Sequence, residues 1–207
     1  MQNYFIHPDC CHHPGGLAAV DPTLKVIERC RRENVQVVFL NWGISEHDLR
    51  VMPPAVTRAF NRNLVASRGY GWNVNLGSEL PDNQGRCLFR GTWNAEIYDP
   101  LKAVMEPHDL CFDKARMSGL WSPELPFHKY LQDSGKKTLL FAGVNTDQCL
   151  LGTLTDAYSW GWDCILIHDC AATLTELNAQ DVAIYNISTN LGFVCESEAF
   201  TAAKRVP

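Results

Sequence analysis

The chain has 207 residues, 46% of them hydrophobic, and a formal net charge of -5. That size suits one domain, over residues 1–207, with a sizeable core. Without a long Lys/Arg run it lacks the electrostatic footprint of a nucleic-acid or anionic-membrane binder, so no nucleic-acid and no membrane partner is expected, and a small-molecule substrate is.

No apolar run approaches the roughly 18–20 residues needed to span a bilayer, and the opening MQNYFIHPDC lacks a basic segment followed by an apolar one. A soluble, cytoplasmic protein is the expectation. The nine cysteines are odd in number and scattered through apparent strands and helices, which fits reduced thiols better than a disulfide framework.

In chain order, Leu24, Ile27 and Cys30 recur at helical spacing within VDPTLKVIERCRRENV, and Val35–Leu40 is a short β-branched run that predicts a strand. From Asn41 to about Asp109 the chain is polar, aromatic and glycine-rich. It predicts loops, with helices near Pro54–Ala66 and Ala95–Met105. Asp109–Asp113 reads as a strand, PELPFHKYLQDSG as a helix ended by Gly135, and Thr138–Val144 as a buried strand. A helix from about Asp147 to Trp160 leads into the strand Cys164–Asp169. A helix around Ala179–Asn190 and a last strand, GFVCES, complete the series. Strands alternating with helices predict a three-layer α/β/α domain, a doubly wound and mainly parallel sheet covered on both faces.

In such sheets ligands sit beyond the carboxyl ends of the strands, and Cys149 falls there. In the first turn of a helix, unpaired backbone N–H groups and the positive end of the macrodipole favour thiolate. The opposing reading is a buried, inert cysteine.

Taken together, GVNTDQC, TLTDAYSWGWDCILIHDCAAT, FDKARMSGLW and GTWNAEIYDPL resemble the isochorismatase-like cysteine hydrolase family, closest to its ureidoacrylate amidohydrolase branch. The resemblance covers nearly the whole chain. It implies a six-stranded Rossmann-like sheet of order 3-2-1-4-5-6 and a dimer or tetramer. It also implies a thiolate that attacks an amide-like carbonyl, expels the amine and leaves a thioester for water. No cofactor is implied.

Carried over residue by residue, Cys149 is the nucleophile and Lys114 the cation beside it. The Val144–Asn145 peptide matches the family's non-proline cis bond, which aims the N–H groups of Asn145 and Cys149 at an oxyanion, with Gly143 giving clearance. Gln2, Phe5, Trp42, Trp93, Arg116, Ser118 and Trp121 fall in segments that the resemblance puts around the substrate. Nicotinamidase-like members hold a metal after the second strand. The matching NWGISEHDL does not fit at Asn41 and Trp42, so no metal is expected there. HPDCCHH (His7–His13) has adjacent candidate ligands that rarely meet on one ion, and a loop at the pocket rim is expected instead.

The family's general base is an aspartate ending its first strand, just ahead of the stretch matched by MQNYF. That strand and aspartate are therefore expected outside the sequence, between the neighbours Val35–Leu40 and Thr138–Val144, leaving this chain inactive or nearly so. Asp9 and Asp147, the latter expected as a helix N-cap, are the nearest substitutes. The alternative is a degenerate member that binds a small molecule or a partner without turnover.

Overall fold

A computed structural model describes residues 1–60 and 75–204. Five parallel strands alternate with helices in an α/β arrangement: β1 (Val38–Trp42), β2 (Leu110–Lys114), β3 (Thr138–Val144), β4 (Asp163–Ala172) and β5 (Phe193–Cys195). Each overlaps a run read as a strand, although β1 starts later than the expected Val35–Leu40 and runs on through Asn41 and Trp42, which the sequence reading put in a loop.

The strands form two ladders. β1 pairs with β2 in register from Val38↔Leu110 to Trp42↔Lys114. β3 pairs with β4, and β4 with β5, in the order β3-β4-β5. No ladder joins β1 to β3 among the described residues.

Both faces are covered, as parallel strands require. Alternation along β4 sends Cys164 and Leu166 to one side, where they pack with Leu131, Leu154 and Ile187. Ile167 and Cys170 meet Val26 and Cys30 of the helix Val20–Arg32 on the other. A third core lies towards the carboxyl ends of the strands, where Phe5, Ile6, Trp42, Ile44 and Val144 are buried together.

The helix expected near Ala95–Met105 is instead a 3-10 turn, Trp93–Ala95, and a short helix, Asp99–Lys102. Pro100 lies in the first turn of the second piece, where a missing N–H costs nothing, and the chain before it is extended at Tyr98 (ψ 133°). The helix of PELPFHKYLQDSG begins only at Pro126 for the same reason. That of Pro54 covers Pro54–Ala59, and the rest of the range expected for it, from residue 61, lies outside the described residues.

Between β1 and β3 runs a cavity of about 510 Å³. Its walls include Val37–Asn41 on one side and Lys136–Val144 on the other. Met1, Lys114 and Cys149 line it as well, beside the carboxyl-terminal residues Asn41 and Val144.

Candidate active site

Cys149 sits where β3 gives way to helix. The Val144–Asn145 peptide is cis. Asn145 caps a single π-helical turn, Thr146–Leu150, which feeds the α-helix Leu151–Ser159. The thiol is thus carried by a π turn, a distortion frequent at functional sites, rather than by the first turn of a regular α-helix. The Thr153 hydroxyl donates to the Cys149 carbonyl at 2.7 Å and accepts from the Gly119 N–H at 3.1 Å. This ties the thiol turn to the loop after β2.

Lys114 ends β2 and is only 5% exposed. Its ammonium donates to the carbonyls of Arg116 and Met117, both at 2.7 Å, and stands 3.9 Å from the centre of the Trp42 ring. Burial lowers its pKa to about 8, against the opposing pull of Cys149 through charge and hydrogen bonding. Among the described residues no carboxylate lies within ion-pair distance of it, so the sulfur of Cys149 is the anion-forming group it faces.

Trp42 joins the two. It stands directly across the ladder from Lys114, and its indole Nε1–H donates to Cys149 Sγ at 3.3 Å. One flat side chain therefore supports the cation on its face and the thiol at its edge. Gln2 holds this residue in place: its Oε1 accepts from the Trp42 N–H at 2.9 Å, and its Nε2 donates to the carbonyls of Trp42 and Ala95 at 2.7 and 2.6 Å.

Asn145 is wired from the opposite side. Its Oδ1 accepts from His13 Nε2 at 3.0 Å and from the Leu174 N–H at 3.3 Å, while its Nδ2 donates to Gln148 Oε1. His13 Nδ1 accepts from the Gly16 N–H at 2.9 Å, which assigns the proton to Nε2. Sequence reading missed this role. The one signal was a histidine just before Pro14-Gly15-Gly16, a cap position for the helix Pro14–Ala18.

Phe5 is core, packed edge-on against Tyr4. Ser118 is buried and its Oγ accepts from the Leu120 N–H. Arg116 lies 5.0 Å from the Trp121 ring and donates to the Ala115 carbonyl. Trp93 packs edge-on against His7 at 4.8 Å. The contacts thus gather Cys149, Lys114 and Trp42, with Gln2 and Asn145 directly behind them. Those of Phe5, Trp93, Arg116, Ser118 and Trp121 run to other neighbours.

Two expectations need correction. Gly143 is not among them: it lines the cavity, a side chain there would meet no atom within 4 Å, and its φ of +129° asks for glycine. HPDCCHH is not a rim loop, since Cys10, Cys11 and His13 are buried and its members diverge towards Gln84, Trp93 and Asn145. Asp147 is not the cap; its carboxylate accepts from the Thr173 hydroxyl at 2.5 Å. Asp9 pairs with His7 and is largely exposed.

This geometry can be set beside known proteins. The ureidoacrylate amidohydrolase RutB of Azorhizobium caulinodans is 25% identical over 189 residues, covering 91% of this chain and 78% of that protein. The N-carbamoylsarcosine amidase of Thermoplasma acidophilum superposes with a TM-score of 0.68 at 23% identity, over 96% of this chain and 92% of its own. A cysteine hydrolase of Pseudomonas syringae pv. phaseolicola gives 0.72 at 17% identity, over 97% and 87%. Those two likenesses show the fold. A family model described as the isochorismatase domain matches residues 1–199, and the chain belongs to that hydrolase family.

Proposed function

We propose that this protein is a cysteine amidohydrolase that cleaves the C–N bond of a small amide, ureide or carbamate. The observation that carries the reading is the contact of one indole with both the Cys149 sulfur and the buried Lys114 ammonium. A cation and an N–H donor at the sulfur both favour thiolate over thiol.

The thiolate of Cys149 attacks the carbonyl carbon, forming a C–S bond and placing negative charge on the oxygen. The N–H groups of Asn145 and Cys149 receive that charge. As the carbonyl re-forms, the C–N bond breaks and the amine leaves with a proton. Water then attacks the thioester and returns the thiol. Arg116, Trp121 and Trp93 are proposed at the substrate's outer end. The resemblance to the family supports a homo-oligomer in the cytoplasm.

The thiol proton needs an acceptor, and neither Asp9 nor Asp147 makes a contact with Cys149. A non-catalytic binding protein is the second reading, favoured by that lack of a carboxylate at the sulfur among the described residues.

Ammonia release from a panel of ureides, carbamates and primary amides tests the proposal. Turnover and its loss in Cys149→Ser are expected. Equal turnover by Cys149→Ser would overturn the nucleophile.

A further inference from the structure

Lys114 and Cys149 reach the site from separate parts of the fold. Lys114 ends β2, in the ladder shared with β1, whereas Cys149 follows β3, in the ladder β3-β4-β5. The attraction of a charge pair falls with distance, so the thiolate gains from the ammonium only if their separation is fixed. At an effective dielectric constant of about 20, loosening a pair from about 4 to about 5 Å lowers the thiolate population by up to about 4-fold.

The ammonium is set by a turn of the chain. Its two carbonyl partners, Arg116 and Met117, belong to the segment that leaves β2, and the Leu120 N–H closes that segment on Ser118 Oγ at 2.9 Å. On one side the segment rests on β1, where a Cβ at Gly119 would collide with the Leu40 side chain. On the other it rests on the start of the helix Leu151–Ser159, where a Cβ at Gly152 would lie 3.6 Å from Met117 Cγ and 3.9 Å from the Ser118 nitrogen.

Thr153 is the polar link across that second contact, and it is buried. A hydroxyl bonded back to the carbonyl four residues earlier is ordinary in helices and by itself means only local structure. Here the carbonyl is that of Cys149, and the same oxygen accepts the N–H of Gly119, 34 positions away. The amide can only donate, so the hydroxyl hydrogen is committed to the Cys149 carbonyl and the pair of bonds has one arrangement. A continuous path thus runs from the Lys114 ammonium through the Met117 carbonyl and Gly119 to Thr153, and from there to the backbone of Cys149.

We propose that Thr153 is a positioning residue that locks the segment holding Lys114 to the turn holding Cys149, and so sets how strongly the ammonium acts on the sulfur. Its effect on the sulfur passes through Lys114. The inference rests on the reading of Cys149 as a nucleophile with Lys114 as its cation.

The test is alkylation of Cys149 by iodoacetamide at pH 7, which needs no substrate. Thr153→Val keeps the shape and removes the hydroxyl. It should slow alkylation about 3- to 10-fold and lower the melting temperature by a few degrees. Thr153→Ser restores the hydroxyl and should stay within about 2-fold of wild type. Ile187→Val, a buried change in the turn Ile187–Leu191, should cost similar stability without slowing alkylation. In a Lys114→Met background, Thr153→Val should change the rate by less than about 2-fold.

Lost stability in Thr153→Val with unchanged alkylation would make the residue structural and overturn the proposal. Equal slowing in the serine variant, or a full effect in the Lys114→Met background, would do the same. Should the valine variant not fold, Thr153→Ala, which leaves room for a water at the Gly119 N–H, takes its place under the same expectations. A wild-type Cys149 no more reactive than the other cysteines would instead remove the nucleophile, and this inference with it.

Discussion

The indole nitrogen of Trp42 lies 3.3 Å from the sulfur of Cys149, and the ring that carries it is also the surface on which Lys114 rests. Trp42→Phe separates these roles, keeping an aromatic face and deleting the donor. The lost hydrogen bond, about 0.5–1.5 kcal/mol, should slow Cys149 alkylation by iodoacetamide at neutral pH roughly 3- to 10-fold. Trp42→Leu should slow it further, because the cation–π contact goes too. Equal rates in wild type and Trp42→Phe would remove the indole from the argument.

Cys149 should be the first cysteine alkylated near pH 8. Burial raises the pKa of Cys30 and Cys164 to about 11 and of Cys170 to about 12, and pushes Cys87 higher still. Burial also raises that of Cys111 and Cys195. Mass spectrometry of a brief iodoacetamide pulse should find one dominant adduct, in the peptide holding Cys149. Several adducts growing together would speak for an inert thiol.

Lys114 makes the stability of the protein depend on pH in a particular direction. Its folded pKa of about 8 lies below the ordinary 10.5, so between those values the unfolded chain binds more protons than the folded one. Stability from this group rises with pH across that window, by roughly 3 kcal/mol on the order-of-magnitude conversion of about 1.4 kcal/mol per pKa unit. Lys114→Met should lose that rise when urea denaturation is compared at pH 8 and pH 10.5, and should slow alkylation at pH 7. Parallel stability curves for the two proteins would contradict the buried cation.

His13→Asn keeps a side chain able to cap the helix Pro14–Ala18 but is too short to reach Asn145. Turnover should fall about 10-fold or more, while Cys149 alkylation stays within about 2-fold of wild type. His13→Ala, which loses the cap as well, should cost about 0.5–2 kcal/mol more stability. A matching fall in alkylation would mean that the whole thiol turn had shifted.

Arg116→Ala should weaken substrate saturation, raising KM with a stability change within about 0.5 kcal/mol. The guanidinium stands over the ring of the half-exposed Trp121 and forms no ion pair among the described residues. A melting-temperature loss in proportion to the activity loss would make it structural.

What the sequence made legible was whatever repeats along the chain or sits at a fixed offset. Val35–Leu40, which overlaps the observed Val38–Trp42, and Thr138–Val144 declared themselves by β-branched and apolar runs, and Cys149 by its place between such a run and a helix. Trp42 fell just past the expected strand, in a stretch read as loop, and its contact with a residue 107 positions later is not a local property. His13 and Asn145 stand 132 positions apart, and only the fold shows that one imidazole caps a helix and braces the peptide beside the nucleophile. The helix expected near Ala95–Met105 is broken ahead of Pro100, where the chain is extended at Tyr98.

The interrupted ladder also changes what unfolding this chain would look like. A two-stranded ribbon holds together poorly by itself, so β1–β2 depends on its helices and on the core around Trp42 and Ile44. The three-stranded ladder β3-β4-β5 has its own cores on both faces. Heating should therefore melt the molecule in two cooperative units, with β1–β2 opening first and a calorimetric enthalpy that exceeds the van't Hoff value.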